Sequence, residues 1–139
     1  MTAVTPLATR PFDDSTDSLL RFALRLDATL SGAIGLFIAL MADPLSALTG
    51  LSSLTEFSGG ALLVLAGLAV YALAAAPDLR RVGRGLIVGN VALAAATVVV
   101  VAAGVLTLTA AGVAATLATG GYFALMAYLQ YLGVRRLPA

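Results

Sequence analysis

The chain contains no cysteine, no histidine, no tryptophan and no lysine. Without cysteine and histidine there are no disulfides, no thiol redox chemistry, no zinc site, no thiolate-held iron–sulfur cluster and no histidine-ligated haem. The commonest general base is missing as well. Charge is scarce. Charged residues make up 11% of the 139 positions, against about 25% in an average soluble domain. Hydrophobic residues make up 60%. A soluble fold of this composition would expose large apolar patches, and a disordered chain would be far more polar. The length suits one domain.

The few charges are clustered. They are Arg10, Asp13, Asp14, Asp17, Arg21, Arg25, Asp27, Asp43, Glu56, Asp78, Arg80, Arg81, Arg84, Arg135 and Arg136. Between the clusters lie charge-free runs over 28–42, 57–76 and 85–134. A helix needs about 20 apolar residues to cross roughly 30 Å of hydrocarbon. The second run suits one crossing. The third would be roughly 75 Å long as a single helix and must fold back. The break is expected at 107–112, where Thr107, Thr109 and Gly112 interrupt a valine-rich stretch. The first run reaches spanning length if Arg21 and Arg25 snorkel to the interface. A cleaved secretory signal fits poorly, because the leader holds three aspartates and Leu40 and Ala42 make a weak cleavage site.

The expected architecture is therefore all-α, a four-helix transmembrane bundle, with helices about 18–42, 54–76, 79–106 and 113–134. Residues 1–17 read as a flexible tail and 18–136 as the membrane domain. All eight basic residues are arginines, and all lie in the N-terminal segment up to 25, around the 77–84 connection, or at the C-terminal end. The positive-inside rule then places both termini in the cytoplasm of a bacterial cell. Residues 43–56 are longer than a turn. Leu45, Leu48, Leu51 and Leu54 recur every three residues, which predicts a short interfacial helix. Ser53-Leu-Thr-Glu56 matches a capping box that would hold Glu56 at the start of the second span. Asp78 is placed to cap the third.

Small residues mark candidate packing faces. Asp27, Ser31, Gly35 and Ala39 follow at steps of four in the first span. Gly85 and Gly89 form a GxxxG in the third, with Ala92 and Ala96 further on. Thr116, Gly120 and Ala124 repeat the pattern in the fourth. Such stripes let helix backbones approach closely. They serve either the interior of the bundle or a contact with another helix.

Within the spans, polar groups gather toward the arginine-bearing end. Asp27, Asn90, Gln130 and Tyr71 each fall roughly 3–9 Å inside the nearest boundary charge or proline. Tyr128 and Tyr131 lie at similar depth. One reading is a shared site with Asp27 as its ionisable group. The other is that Asp27 pairs with a boundary arginine, the amides join helices, and the tyrosines form an interfacial belt. Arg80, Arg81, Arg84, Arg135 and Arg136 are candidates for lipid headgroup contact or topology signals. No phosphate loop, nucleophile–base pair or metal set is present, and the arginine pairs are too few for nucleic acid. No cofactor is expected.

Arg25-Leu-Asp27-Ala28, then Ser31-Gly32 and Gly50-Leu51, resemble a family of small four-helix integral membrane proteins common in actinobacteria. The resemblance continues at Gly89-Asn90 and at Gln130-Tyr131-Leu-Gly-Val-Arg135-Arg136, and covers roughly 20–137. It implies the same topology and a polar set at Asp27, Asn90 and Gln130, with no established activity. Many such proteins carry a tryptophan after the helix-three asparagine, and this chain has none. Glu56-Phe-Ser-Gly59-Gly60 is more distantly similar to the opening of the second helix in DoxX-like proteins. The function expected is that of a non-catalytic accessory, scaffold or self-associating membrane protein. The alternative is a small proton-coupled transporter or ligand-binding bundle using Asp27.

Overall fold

The computed structural model of the protein describes residues 16–139. The expected tail, 1–17, falls almost wholly outside the described residues. The described chain is all-helical: α1 (Ser18–Leu40), α2 (Ala42–Thr49), α3 (Ser53–Leu73), α4 (Leu79–Ala103) and α5 (Ala110–Arg135). Four of these, α1, α3, α4 and α5, are long and apolar enough to cross a membrane. A bilayer core offers no water to backbone groups, so spanning segments of this composition satisfy themselves as helices.

The boundaries follow local chemistry. The first span ends at Leu40, ahead of Asp43-Pro44. The chain passes through Met41 into α2, where Pro44 sits in the first turn and needs no hydrogen-bonded N–H. The short helix foreseen in the connection is α2. It ends at Gly50, whose φ of 84° suits a residue without Cβ. Ser52, not Ser53, caps α3: its hydroxyl accepts from the Thr55 N–H. This shift by one residue dissolves the expected capping box. The Glu56 carboxyl instead accepts from the Thr49 hydroxyl at 2.5 Å. Asp78 caps α4, accepting from the Arg81 N–H at 3.1 Å.

The long valine-rich run breaks earlier than the sequence suggested. Gly104, at φ 61°, terminates α4, and Gly112 lies inside α5, packed against the Thr49 carbonyl. Thr109 caps α5 by accepting from the Gly112 N–H at 3.0 Å, and its own hydroxyl donates to the Leu48 carbonyl at 2.6 Å. The Thr109 N–H donates to the Thr49 carbonyl at 2.9 Å. One threonine thus starts α5 and ties it to α2. Thr109→Val should lower stability by about 1–2 kcal/mol, read as a lower melting temperature in detergent.

The long helices pack as two antiparallel pairs, α1 with α3 and α4 with α5, joined where α1 meets α5. The pairs rest on missing side chains. A Cβ on Gly35 would come within 2.6 Å of the Gly60 carbonyl, and one on Gly67 within 2.7 Å of the Ala28 carbonyl. Gly133 brings α5 against the backbone of Leu20 in α1. Leu20, Leu24, Ala74, Leu79 and Val134 form a buried apolar cluster at the end of the molecule that carries the start of α1 and the end of α5. There the Arg21 guanidinium donates to the Ala74 carbonyl at the end of α3, at 2.7 Å. Away from this end the packing loosens. Consecutive helices α3 and α4 barely touch, so the four spans do not close into a ring.

Candidate functional site

Where the packed end gives way to the open half, Asp27 sits on the inner face of α1. It is 3% exposed. Its helix places it one turn before Ser31, and α4 and α5 approach from the other side. Gln130 Nε2 donates to Asp27 Oδ2 at 2.7 Å, and Asn90 Nδ2 donates to the same oxygen at 3.2 Å. The Tyr122 hydroxyl donates to Oδ1 at 2.8 Å and the Ser31 hydroxyl at 3.2 Å. Three further contacts close the cluster. Asn90 Nδ2 also donates to Gln130 Oε1 at 3.1 Å, and the Tyr122 hydroxyl lies 3.0 Å from the Ser31 hydroxyl and 3.1 Å from the Asp27 backbone carbonyl, alternative partners for the same two hydroxyl hydrogens. A carboxyl group offers roughly four lone-pair positions. Here all are addressed, by four neutral donors from three helices.

No cation of the described residues takes part. Among the described residues the ion pair is Arg21–Asp17, at 2.9 Å across the start of α1. Arg25, the nearest charge in sequence, is exposed. The expectation that Asp27 pairs with a boundary arginine is therefore corrected. The direction of the side chain decides this: Arg25 and Asp27 are two positions apart, which puts them on different faces of a helix.

Of the polar group read from depth, the structure brings together Asp27, Asn90 and Gln130. Tyr71 is placed elsewhere. It is 63% exposed on the outer face of α3, beside a shallow crevice between α1 and α3. Ser31, read as a packing residue, is a member of the cluster. Tyr122 was missed. It lies eight residues before Gln130, about 12 Å along α5, and counting depth by Cα position ignores the reach of a phenol. The signal available was its spacing of eight, two turns, from a polar residue on an otherwise apolar helix.

The packing residues also divide. Gly35 and Gly120 meet neighbours, Gly35 against α3 and Gly120 against Thr97 of α4. Gly85 and Gly89 meet nothing within 4 Å, and Ala124 is exposed. Among the arginines, Arg80, Arg84 and Arg135 line one groove between α4 and α5, while Arg81 and Arg136 are exposed outside it.

The cluster is flanked by two apolar crevices. One, about 300 Å³, opens between α3 and α4. Asp27, Ser31 and Asn90 form its floor, and Leu62, Ala66, Leu86 and Leu93 its walls. The other, about 250 Å³, lies among α1, α3 and α5, with Ser31 and Tyr122 at its base and Ile34 and Ile38 on one side. Ser31, Leu63 and Phe123 border both. The Asn90 side-chain oxygen, Oδ1, accepts no bond among the described residues. The described residues hold no group of three or more potential metal ligands. The arrangement can bind by hydrogen bonding and apolar contact. Comparison with protein-family patterns, with characterised proteins and with solved structures finds no match.

Proposed function

We propose that the chain is a multi-pass protein of the bacterial cytoplasmic membrane, with both termini in the cytoplasm. It acts without catalytic chemistry as an accessory or scaffold subunit that packs against a partner helix. The topology rests on the arginines, all confined to segments that four crossings place on one side. The docking role rests on α4. It holds the most apolar 18-residue stretch among the long helices, yet only Leu79, Gly83 and Asn90 are buried along it. Gly85, Gly89, Ala92 and Ala96 are all exposed. A glycine inside a helix costs roughly 0.5–1 kcal/mol relative to alanine. At Gly35, Gly60, Gly67 and Gly133 that cost is offset by close helix approach, whereas a Cβ at Gly32, Gly59 or Gly121, as at Gly85 and Gly89, would meet nothing within 4 Å. Gly85 and Gly89 have no such return within the monomer. In this reading the Asp27 cluster is a permanent clasp that holds α4 at a fixed rotation, so that its small-residue face points outward.

The test uses substitutions that the monomer tolerates. Gly85→Leu with Gly89→Leu fills open space and should leave the melting temperature unlowered, or slightly raised. It should abolish recovery of a stoichiometric partner, or of a second copy, after gentle detergent extraction. Recovery of the wild type only as a lone monomer overturns the proposal. The absence of native cysteine makes Gly89→Cys a clean cross-linking probe of the same face.

A second reading is favoured by one observation, the carboxyl group without a cation at the floor of a crevice open to the bilayer. It is a ligand-binding or proton-coupled bundle using Asp27. Asp27→Asn would then stop substrate-driven proton movement in proteoliposomes while the protein stays folded. No flux by the wild type across a broad panel of solutes counts against it.

A further inference from the structure

The groove between the start of α4 and the end of α5 has a different chemistry from the rest of the surface. Arg80 and Arg84 line it from α4, and Arg135 lines it from α5. Ile87, Val88, Val134 and Leu137 complete its apolar part, within a volume of about 530 Å³. No acidic residue lines it. The Arg135 guanidinium lies 5.7 Å from the centroid of the Tyr131 ring, which also borders the groove. This contact steadies the charged group by a cation–π interaction. Arg80 donates to the carbonyls of Leu137 and Pro138, which fixes it across the two helices. Arg84 and Arg135 are exposed and outside any ion pair of the described residues.

We infer that this groove holds the phosphate of an anionic phospholipid. Three observations agree. Arginines of two helices line the one groove, so the site exists only in the folded pair. A planar guanidinium presents two parallel donors that match phosphate oxygens. The position is also a boundary: the charge-free stretch 85–134 starts directly after Arg84 and ends directly before Arg135. Charged groups therefore form the rim, and Ile87 and Val88 follow one turn deeper. That order, phosphate above and hydrocarbon below, is the order within a phospholipid. A soluble anion would use the rim and leave the apolar floor unmatched. The site is independent of the Asp27 cluster and of the face proposed for a partner helix.

The test compares two double variants that remove the same charge. Purified protein carrying Arg84→Gln with Arg135→Gln should retain phosphatidylglycerol about tenfold less, or lower still, than the wild type. Retention is measured as bound lipid by native mass spectrometry. Arg81→Gln with Arg136→Gln should retain it as the wild type does, since neither residue lines the groove. Equal losses in both variants, or no loss in either, overturn the assignment to this groove. The wild type alone provides a second measurement that depends on no variant folding. It should hold phosphatidylglycerol in preference to phosphatidylcholine, and excess inorganic phosphate should not displace it. Equal retention of the two lipids, or displacement by phosphate, also overturns it.

Discussion

Asp27→Ala should destabilise the protein more than truncation of any boundary arginine. The carboxyl group is the common acceptor for Ser31, Tyr122, Asn90 and Gln130. Removing it leaves buried donors facing an apolar methyl group. Interhelical hydrogen bonds in membranes average about 0.6 kcal/mol each. Bonds to charged groups in proteins reach about 1.5–3 kcal/mol. Four bonds at between about 0.6 kcal/mol and the lower charged-group figure of about 1.5 kcal/mol put the expected loss at roughly 2–6 kcal/mol, measured by reversible unfolding in mixed micelles. Arg25→Ala should fall within about 0.5 kcal/mol of the wild type, as exposed substitutions usually do. The comparison separates a clasp from a boundary ion pair, which predicts similar losses for both. A double-mutant cycle sharpens it. Gln130→Ala should cost less in the Asp27→Ala background than alone, because Gln130 Nε2 has already lost its acceptor. Strict additivity would mean that the two residues stabilise the fold independently.

The second large effect is steric. Gly60→Leu should separate α1 from α3. Even a Cβ at this position would lie 2.5 Å from the Ala39 nitrogen and the Gly35 oxygen, and both are backbone atoms that no rotamer change can move. Overpacking typically costs about 1–3 kcal/mol and occasionally more. The whole α1–α3 seam is involved, so a loss at the upper end of that range is expected. Gly85→Ala and Gly89→Ala should do the opposite. A Cβ there meets nothing, and replacing helical glycine by alanine gains roughly 0.5–1 kcal/mol. Melting temperatures should therefore fall for Gly60→Leu and rise slightly for the two alanine variants. A similar fall at all three positions would show that Gly85 and Gly89 are also buried against another helix within the monomer.

The spans were legible because fifteen charges, sparse and clustered, leave only four places for a bilayer. Three members of the polar cluster were legible from depth alone, since each helix has few polar residues to choose from. Rotation was harder. An amphipathic helix announces its inner face by periodicity, but helices such as α3 and α5 are apolar around much of their circumference, so the pattern carries little information about direction. That is why Tyr71 was grouped with Asp27 although it faces outward, and why Gly85 and Gly120 looked equivalent although only Gly120 meets a neighbour. The stop at Gly104 was hidden by two threonines and a glycine a few residues later. Thr109 and Gly112 belong to the start of the next helix, where a capping hydroxyl and a close contact with α2 need them.

The order in which the clasp can form is fixed by the order of synthesis. While α1 is the newest helix, Asp27 has one side-chain partner, Ser31, on its own helix. The α1–α3 seam can close as soon as α3 is made, since its contacts lie within residues already translated. The amide donors arrive much later: Asn90 is 63 positions further on and Gln130 is 103. A nascent chain can thus have its first pair of helices together while its carboxyl group is still short of donors; α4 then brings Asn90, and α5 brings Tyr122 and Gln130. A truncated product therefore keeps an unmet polar demand inside the bilayer, a chemical mark that distinguishes an unfinished copy from a finished one before either has met a partner.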